Sequence, residues 1–312
     1  MANYVFGVDI GGTTVKLGLF DIDGNVLDKW EIPTRIENCG ANILPDIAAS
    51  VKDKMEEKNI GKEDVAGVGV GAPGPVDGEG IIHRAVNLGW SEMNLKKELT
   101  ALLDGIRVEG GNDANVAALG EMWKGGGQGH KDVVAVTLGT GVGGGIIIDG
   151  RIMTGANGSA GEIGHIHVED HETEACGCGN YGCLEEYTSA TGITKLAHRK
   201  LQASDKDSML RQGEVSAKTV FDAVKAGDEL AIEIARQFGD YLGKGLAVIA
   251  GVVNPEIFVI GGGVSKAGEV LFEYIRPAFD KTVFHGCRDT KFALATLGND
   301  AGIYGAAKMV LD

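Results

Sequence analysis

Val8-Asp9-Ile10-Gly11-Gly12-Thr13 and Val136-Thr137-Leu138-Gly139-Thr140-Gly141 match when aligned, each an apolar run that breaks into a glycine turn. Each opens a longer unit of one design. Residues 4–9 and 133–138 read as short apolar strands; each passes through its glycine turn and continues as a second strand, over 15–20 and 145–148. Both second strands lead to an Asp-Gly turn, Asp23-Gly24 and Asp149-Gly150. The pattern predicts an internal duplication. Between the units, helical patterns over 43–58 and 228–253 alternate with strands over 66–71 and 257–261, which sets the class as α/β. The second long helix must stop at Asn254-Pro255, because proline lacks an N–H and restricts the residue before it. The expected division is a small α/β domain over 1–117 and a larger one over 118–297, with a helix within 298–312 returning to pack on the first.

With 312 residues and 44% hydrophobic composition, the chain can bury the cores of two modest domains. A net charge of −15 argues against nucleic acid or an anionic membrane as partner, since polyanion binding depends on Lys and Arg releasing counterions. Any phosphate must therefore be gripped locally. The opening Met1-Ala2-Asn3-Tyr4-Val5-Phe6 carries no basic start with an apolar signal segment, and no apolar run approaches the roughly 20 residues that span a bilayer. The reading is a cytoplasmic protein. Its 50 glycines are concentrated at strand ends, as expected of turns that face a ligand.

The loop Asp9-Ile10-Gly11-Gly12-Thr13-Thr14 offers backbone N–H groups with no side chain in the way, and threonine hydroxyls beside them. Gly139-Thr140-Gly141 is a second loop of the same build, and Gly261-Gly262-Gly263 ends a third strand where nucleotides bind in α/β proteins. Two duplicated loops can hold adjacent phosphates of one nucleotide without a Walker lysine. Asp9 is placed to hold Mg²⁺ directly or through water, with Lys16 balancing phosphate charge.

Cys176-Gly177-Cys178 and Cys183 fall within eight residues, and a histidine upstream completes three thiolates and one imidazole, the complement of a closed structural zinc site. His165, His167 and His171 all compete for the fourth position. With every ligand supplied by protein, the metal would shape the loop over 164–184 instead of activating water.

The motifs together resemble the bacterial ROK family (repressors, open reading frames, sugar kinases) and, within it, the glucokinases. The likeness rests on Asp9-Ile10-Gly11-Gly12-Thr13, Gly71-Ala72-Pro73-Gly74-Pro75, Asn112-Asp113-Ala114-Asn115, Gly139-Thr140-Gly141, Gly161-Glu162-Ile163-Gly164-His165, Gly182-Cys183-Leu184-Glu185 and Gly261-Gly262-Gly263. It implies the duplicated actin-like ATPase fold, ATP with Mg²⁺, and a homodimer. By the same resemblance Asp113 is the base that accepts a sugar hydroxyl proton. Gly71, Asn87, Asn112, Glu162, His165 and Glu185 line the sugar pocket, and His165 is the zinc ligand among the three histidines. Glucose is the implied substrate, with fructose, allose, mannose or N-acetylmannosamine as alternatives; ADP and polyphosphate are alternative donors. A sugar-responsive repressor is disfavoured, because the first phosphate strand starts at Tyr4 and leaves no helix-turn-helix before it. Asn112 and Asp113 also suit a helix N-cap before residues 114–123. A side chain at Gly141 is expected to obstruct the donor alone, by its bulk and by forbidding a positive φ, since the sugar residues lie outside that loop.

Overall fold

The computed structural model describes residues 2–83 and 85–312. Two compact units emerge from it: Met1–Lys131 with Gly145–Gly161 and Leu297–Asp312, and Asp132–Gly144 with Glu162–Thr296.

The first unit begins with β1 (Tyr4–Ile10), β2 (Thr14–Asp21) and β3 (Val26–Pro33), an antiparallel meander whose β1 also pairs in parallel with β4 (Val65–Ala72). Between β3 and β4 lies α1 (Ile43–Lys58), which ends at the left-handed Asn59. Next come α2 (Leu95–Leu102), β5 (Val108–Asn112) and α3 (Asp113–Lys124), giving the sheet order β3-β2-β1-β4-β5. Ile43, Ile47 and Val51 form the buried stripe of α1 and pack with Phe6, Val8, Val68 and Val70 of the sheet in one core cluster.

The second sheet repeats this plan. It comprises β6 (Val133–Leu138), β7 (Val142–Ile148), β8 (Arg151–Ile152), β9 (Ile257–Gly261) and β10 (Lys291–Leu294), in the order β8-β7-β6-β9-β10. A hairpin meander on one side and parallel neighbours on the other therefore recur in the same order, as the paired motifs predict. In the second unit α4 (Ala190–Gln202), α5 (Ala217–Lys225) and α6 (Glu229–Val253) precede β9, and α7 (Val270–Thr282) lies between β9 and β10. Asp228 caps α6 by accepting from Ala231 N–H, and the helix stops at left-handed Asn254 before Pro255, as the proline requires.

The C-terminal helix α8 (Ala301–Leu311) packs on the first unit. Its approach is close enough to need glycine on both sides. A Cβ at Gly7 or Gly69 would meet a backbone carbonyl of α8, and one at Gly305 would meet Val116 O of α3. Part of the glycine content thus serves close packing of α8 and not ligand-facing turns, contrary to expectation.

Candidate active site

In the first unit the candidates collect at the carboxyl ends of parallel strands, the usual place for ligands in such sheets. Asp9 on β1 is in register with Gly71 on β4, which is in register with Gly111 on β5; Ala72 pairs with Asn112. Asn112 is the N-cap of α3. Its Oδ1 accepts from Ala114 and Asn115 N–H at 3.1 and 3.2 Å, while its Nδ2 donates to Gly74 O and to Asp113 Oδ1, both at 3.0 Å. The cap therefore belongs to Asn112, and Asp113 is the first helical residue, its Oδ1 also accepting from Ala114 N–H at 2.8 Å. Both amide hydrogens of Asn112 are engaged in holding this turn and the Asp113 carboxyl. Asn87 is exposed in the short turn Val86–Leu88, with no side-chain hydrogen bond among the described residues.

Burial, followed by the nearby charge of Asp113, raises the Asp9 carboxyl to about 6 from an ordinary 3.8, against the pull of Lys16. Lys16 is the cross-strand partner of Asp9 and donates to Asn299 O at 3.0 Å. Gly302 is a residue that no motif flagged: a Cβ there would approach the Asp9 carboxyl carbon to 2.5 Å, so α8 must carry glycine opposite the carboxylate. The raised value has a stability consequence. The folded state binds this proton more tightly than the unfolded chain, so ionised Asp9 destabilises the fold above about pH 6; the penalty is relieved as pH falls toward 3.8. Asp9→Asn is expected to raise the melting temperature of the metal- and nucleotide-free protein at about pH 8, with a ceiling near 3 kcal/mol that partial exposure lowers. The advantage should vanish by about pH 4. Thermal melts in chelator across that range check it, and a variant less stable than wild type at about pH 8 overturns it.

The second unit gathers the remaining candidates around Glu185. Gly139 N–H donates to Gly141 O at 3.0 Å, closing the turn between β6 and β7. Thr191 Oγ1 donates to Thr140 O at 2.9 Å, and Ala190 N–H donates to Gly139 O at 2.8 Å, so the start of α4 braces the loop. Glu185 Oε2 accepts from Val142 N–H at 3.2 Å, and a Cβ on Gly141 would come within 2.7 Å of that oxygen. The loop and Glu185, expected to be separable, thus touch: a side chain at Gly141 must displace the Glu185 carboxylate. Gly141 has no positive φ, so backbone strain plays no part there. Gly261 is in register with Thr137, and a Cβ at Gly262, which has φ +84, would collide with the Leu138 backbone. The third glycine run therefore lies beside the loop after β6.

The other oxygen of Glu185 leads to the cysteines. Cys176 Sγ is 3.1 Å from Glu185 Oε1, and His165 Nδ1 is 3.7 Å from the same atom. His165 closes the short turn Ile163–His165, and its Nε2 faces the exposed Glu162 carboxylate at 4.0 Å. Ligand atoms of His165, Cys176, Cys178 and Cys183 all lie within 4.8 Å of one another. Tetrahedral zinc with three thiolates and one imidazole separates its ligand atoms by about 3.5–3.8 Å. The 3.8 Å between Cys176 Sγ and His165 Nδ1 and the 3.6 Å between Cys178 and Cys183 Sγ fit that ion. His167 is otherwise occupied, its Nδ1 on Tyr181 O and its Nε2 on Asp170 Oδ1, both at 2.9 Å.

These paired glycine loops, strand-end carboxylates and a Cys/His cluster define a class of sugar-phosphorylating α/β proteins, and comparison with known proteins agrees. The ROK family model matches residues 5–312. A glucokinase of Halalkalibacterium halodurans is 44% identical over 313 residues, covering 97% of this chain and 94% of that protein. An N-acetylgalactosamine kinase of a Shewanella species is 32% identical, covering 97% of this chain and 95% of that one. Among solved structures, a ROK family glucokinase from Streptomyces griseus in complex with glucose and AMPPNP superposes with a TM-score of 0.73 at 36% identity, covering 98% of each chain. The chain belongs to the ROK family, and its fold is the duplicated actin-like ATPase fold.

Proposed function

We propose that the protein is a glucokinase that moves the γ-phosphate of ATP to the 6-hydroxyl of glucose. The observation that carries the reading is that Asp9, at the end of β1, and Asp113, which opens α3 after β5 one strand beyond β4, lie on the same edge of the sheet, close enough for the charge of Asp113 to raise the Asp9 carboxyl. The glucose and AMPPNP in the S. griseus complex, and the 44% identity to a glucokinase, support the substrate and the donor.

In this reading Asp113 accepts the proton of the attacking hydroxyl while Asn112 holds the carboxyl by Nδ2, and no covalent enzyme intermediate is needed. Gly71, Asn87, Asn112, Glu162, His165 and Glu185 are the proposed sugar residues: the carboxylates of Glu162 and Glu185 accept hydroxyl hydrogen bonds, and Asn112, whose amide is engaged by the turn, acts through its hold on Asp113. Gly11, Gly12, Thr13 and Thr14 in the first unit, and Gly139, Thr140 and Gly141 in the second, are the proposed donor-phosphate residues, and Gly261, Gly262 and Gly263 are proposed to border the nucleotide. Lys16 offsets phosphate charge, and Mg²⁺, held by Asp9 directly or through water, would neutralise the transferring group. A structural zinc on His165, Cys176, Cys178 and Cys183 would fix the loop that presents the His165 Nε2 and Glu185. The small domain over 1–117, the larger one over 118–297 and the returning helix within 298–312 carry these roles. A cytoplasmic homodimer belongs to the same proposal; Val248 and Val252, one turn apart on α6, and Phe284 are exposed apolar side chains for such an interface. No helix among the described residues is long and apolar enough to cross a membrane.

A coupled assay over glucose, fructose, allose, mannose, N-acetylmannosamine and N-acetylgalactosamine, each with ATP, ADP and polyphosphate, tests the proposal. Glucose with ATP is expected to give the highest kcat/KM. A higher value for an N-acetylated sugar would move the assignment toward the Shewanella relative, and no phosphorylation of any sugar would overturn it.

A further inference from the structure

Thr34, just past the end of β3, belongs to none of the motifs, yet it is a buried polar residue only 9% exposed. Its hydroxyl donates to Gly11 O at 2.7 Å, and its backbone N–H donates to Thr13 O at 2.9 Å. Gly11 N–H in turn donates to Thr14 O at 3.0 Å. The loop after β1 thus has its Gly11, Thr13 and Thr14 carbonyls satisfied from within the protein. In contrast, the N–H groups of the exposed Gly12 and Thr13 have no acceptor among the described residues.

The peptide between Gly11 and Gly12 is one planar unit, with C=O and N–H pointing in opposite directions. Fixing the Gly11 oxygen on Thr34 therefore aims the Gly12 N–H the other way, out of the loop. Two consecutive glycines leave such a peptide free to flip, and the flipped form would present a carbonyl oxygen to an anion. We propose that Thr34 is the positioning residue of this phosphate loop, its hydroxyl holding the Gly11–Gly12 peptide in the one orientation that binds the donor's phosphate. The inference rests on the reading of this loop as part of the donor site.

Calorimetric titration with Mg·ADP and, separately, with glucose tests it on Thr34→Val, Thr34→Ser and Gly12→Val. Thr34→Val keeps the branch and the backbone bond but loses the hydroxyl, and is expected to weaken Mg·ADP about tenfold while glucose binding stays within about twofold. Thr34→Ser should restore Mg·ADP binding to near wild type, a rescue that a purely steric role would not give. Wild-type Mg·ADP binding by Thr34→Val, or equal weakening by Thr34→Ser, overturns the proposal. Gly12 has open space at its Cβ position and no positive φ, so Gly12→Val should fold and obstruct the loop. If Gly12→Val binds Mg·ADP normally, the donor-site reading falls, and Thr34 with it. If Gly12→Val loses Mg·ADP and Thr34→Val does not, only the role of Thr34 falls.

Discussion

Asp113→Asn is expected to lower kcat by about 10²–10⁴-fold, the usual cost of removing a general base, while sugar binding stays within a few fold. The geometry makes this substitution unusually clean. Asp113 Oδ1 accepts from Ala114 N–H at 2.8 Å and from Asn112 Nδ2 at 3.0 Å, and the amide oxygen of an asparagine can accept both. The helix keeps its cap, because that belongs to Asn112. What disappears is the ability to take a proton. Calorimetry with glucose and single-turnover kinetics separate the two effects. Turnover above about a tenth of wild type would show that Asp113 is a first-turn carboxylate and no base. Asn112→Ala makes the informative contrast: it removes the cap, worth about 1 kcal/mol, together with the grip on Asp113, so stability and turnover fall together.

Strand and helix positions were legible because their causes are local. Val133–Leu138, Ile257–Gly261, Ile43–Lys58 and Ala301–Leu311 have the limits that period, turn residues and proline dictate. The duplication was legible too, since equal topology needs equal turn chemistry at equal places. Contacts made between distant segments were not. Gly7 and Gly69 look like strand glycines of no special note until α8 is laid against them, and Gly302 shows its purpose only with Asp9 opposite. Thr34 meets Gly11 across 23 residues, so no spacing rule connects them. The coupling of Gly141 to Glu185 was hidden for the same reason, and it changes how the site must be dissected. If the proposed roles hold, substituting Gly141 is expected to disturb donor and sugar binding together, whereas Gly12, with nothing opposite its Cβ position, is expected to disturb the donor alone.

Purified protein is expected to carry one zinc per chain by elemental analysis, and Cys178→Ser to lose it together with glucose binding while the helical and sheet cores stay folded. The argument starts from the donor set: three thiolates and the His165 imidazole are all supplied by one loop of the second unit and the strand-free segment before it. Without the ion, three thiols and a ring nitrogen would crowd within 4.8 Å with little to hold them. His165 and Glu185 depend directly on that arrangement, since Cys176 Sγ contacts Glu185 Oε1 at 3.1 Å and His165 Nδ1 at 3.8 Å. The cores do not: β6, β9 and α6 are built from buried residues such as Val134, Phe258 and Leu242, outside the loop. Structural zinc sites contribute on the order of 10 kcal/mol to the segment they organise, enough to fix a loop that has little core of its own. Loss should therefore appear as vanished glucose binding, a locally exchange-labile segment over 162–185 and a far-ultraviolet circular dichroism spectrum close to wild type. Zinc-free protein that still binds glucose with full affinity, or a disulfide joining any two of Cys176, Cys178 and Cys183 in protein isolated under reducing conditions, would show that the cluster is no metal site. Titrating zinc back into chelator-treated wild type closes the test: glucose binding should return in step with one equivalent of metal, and in Cys178→Ser it should not return at all.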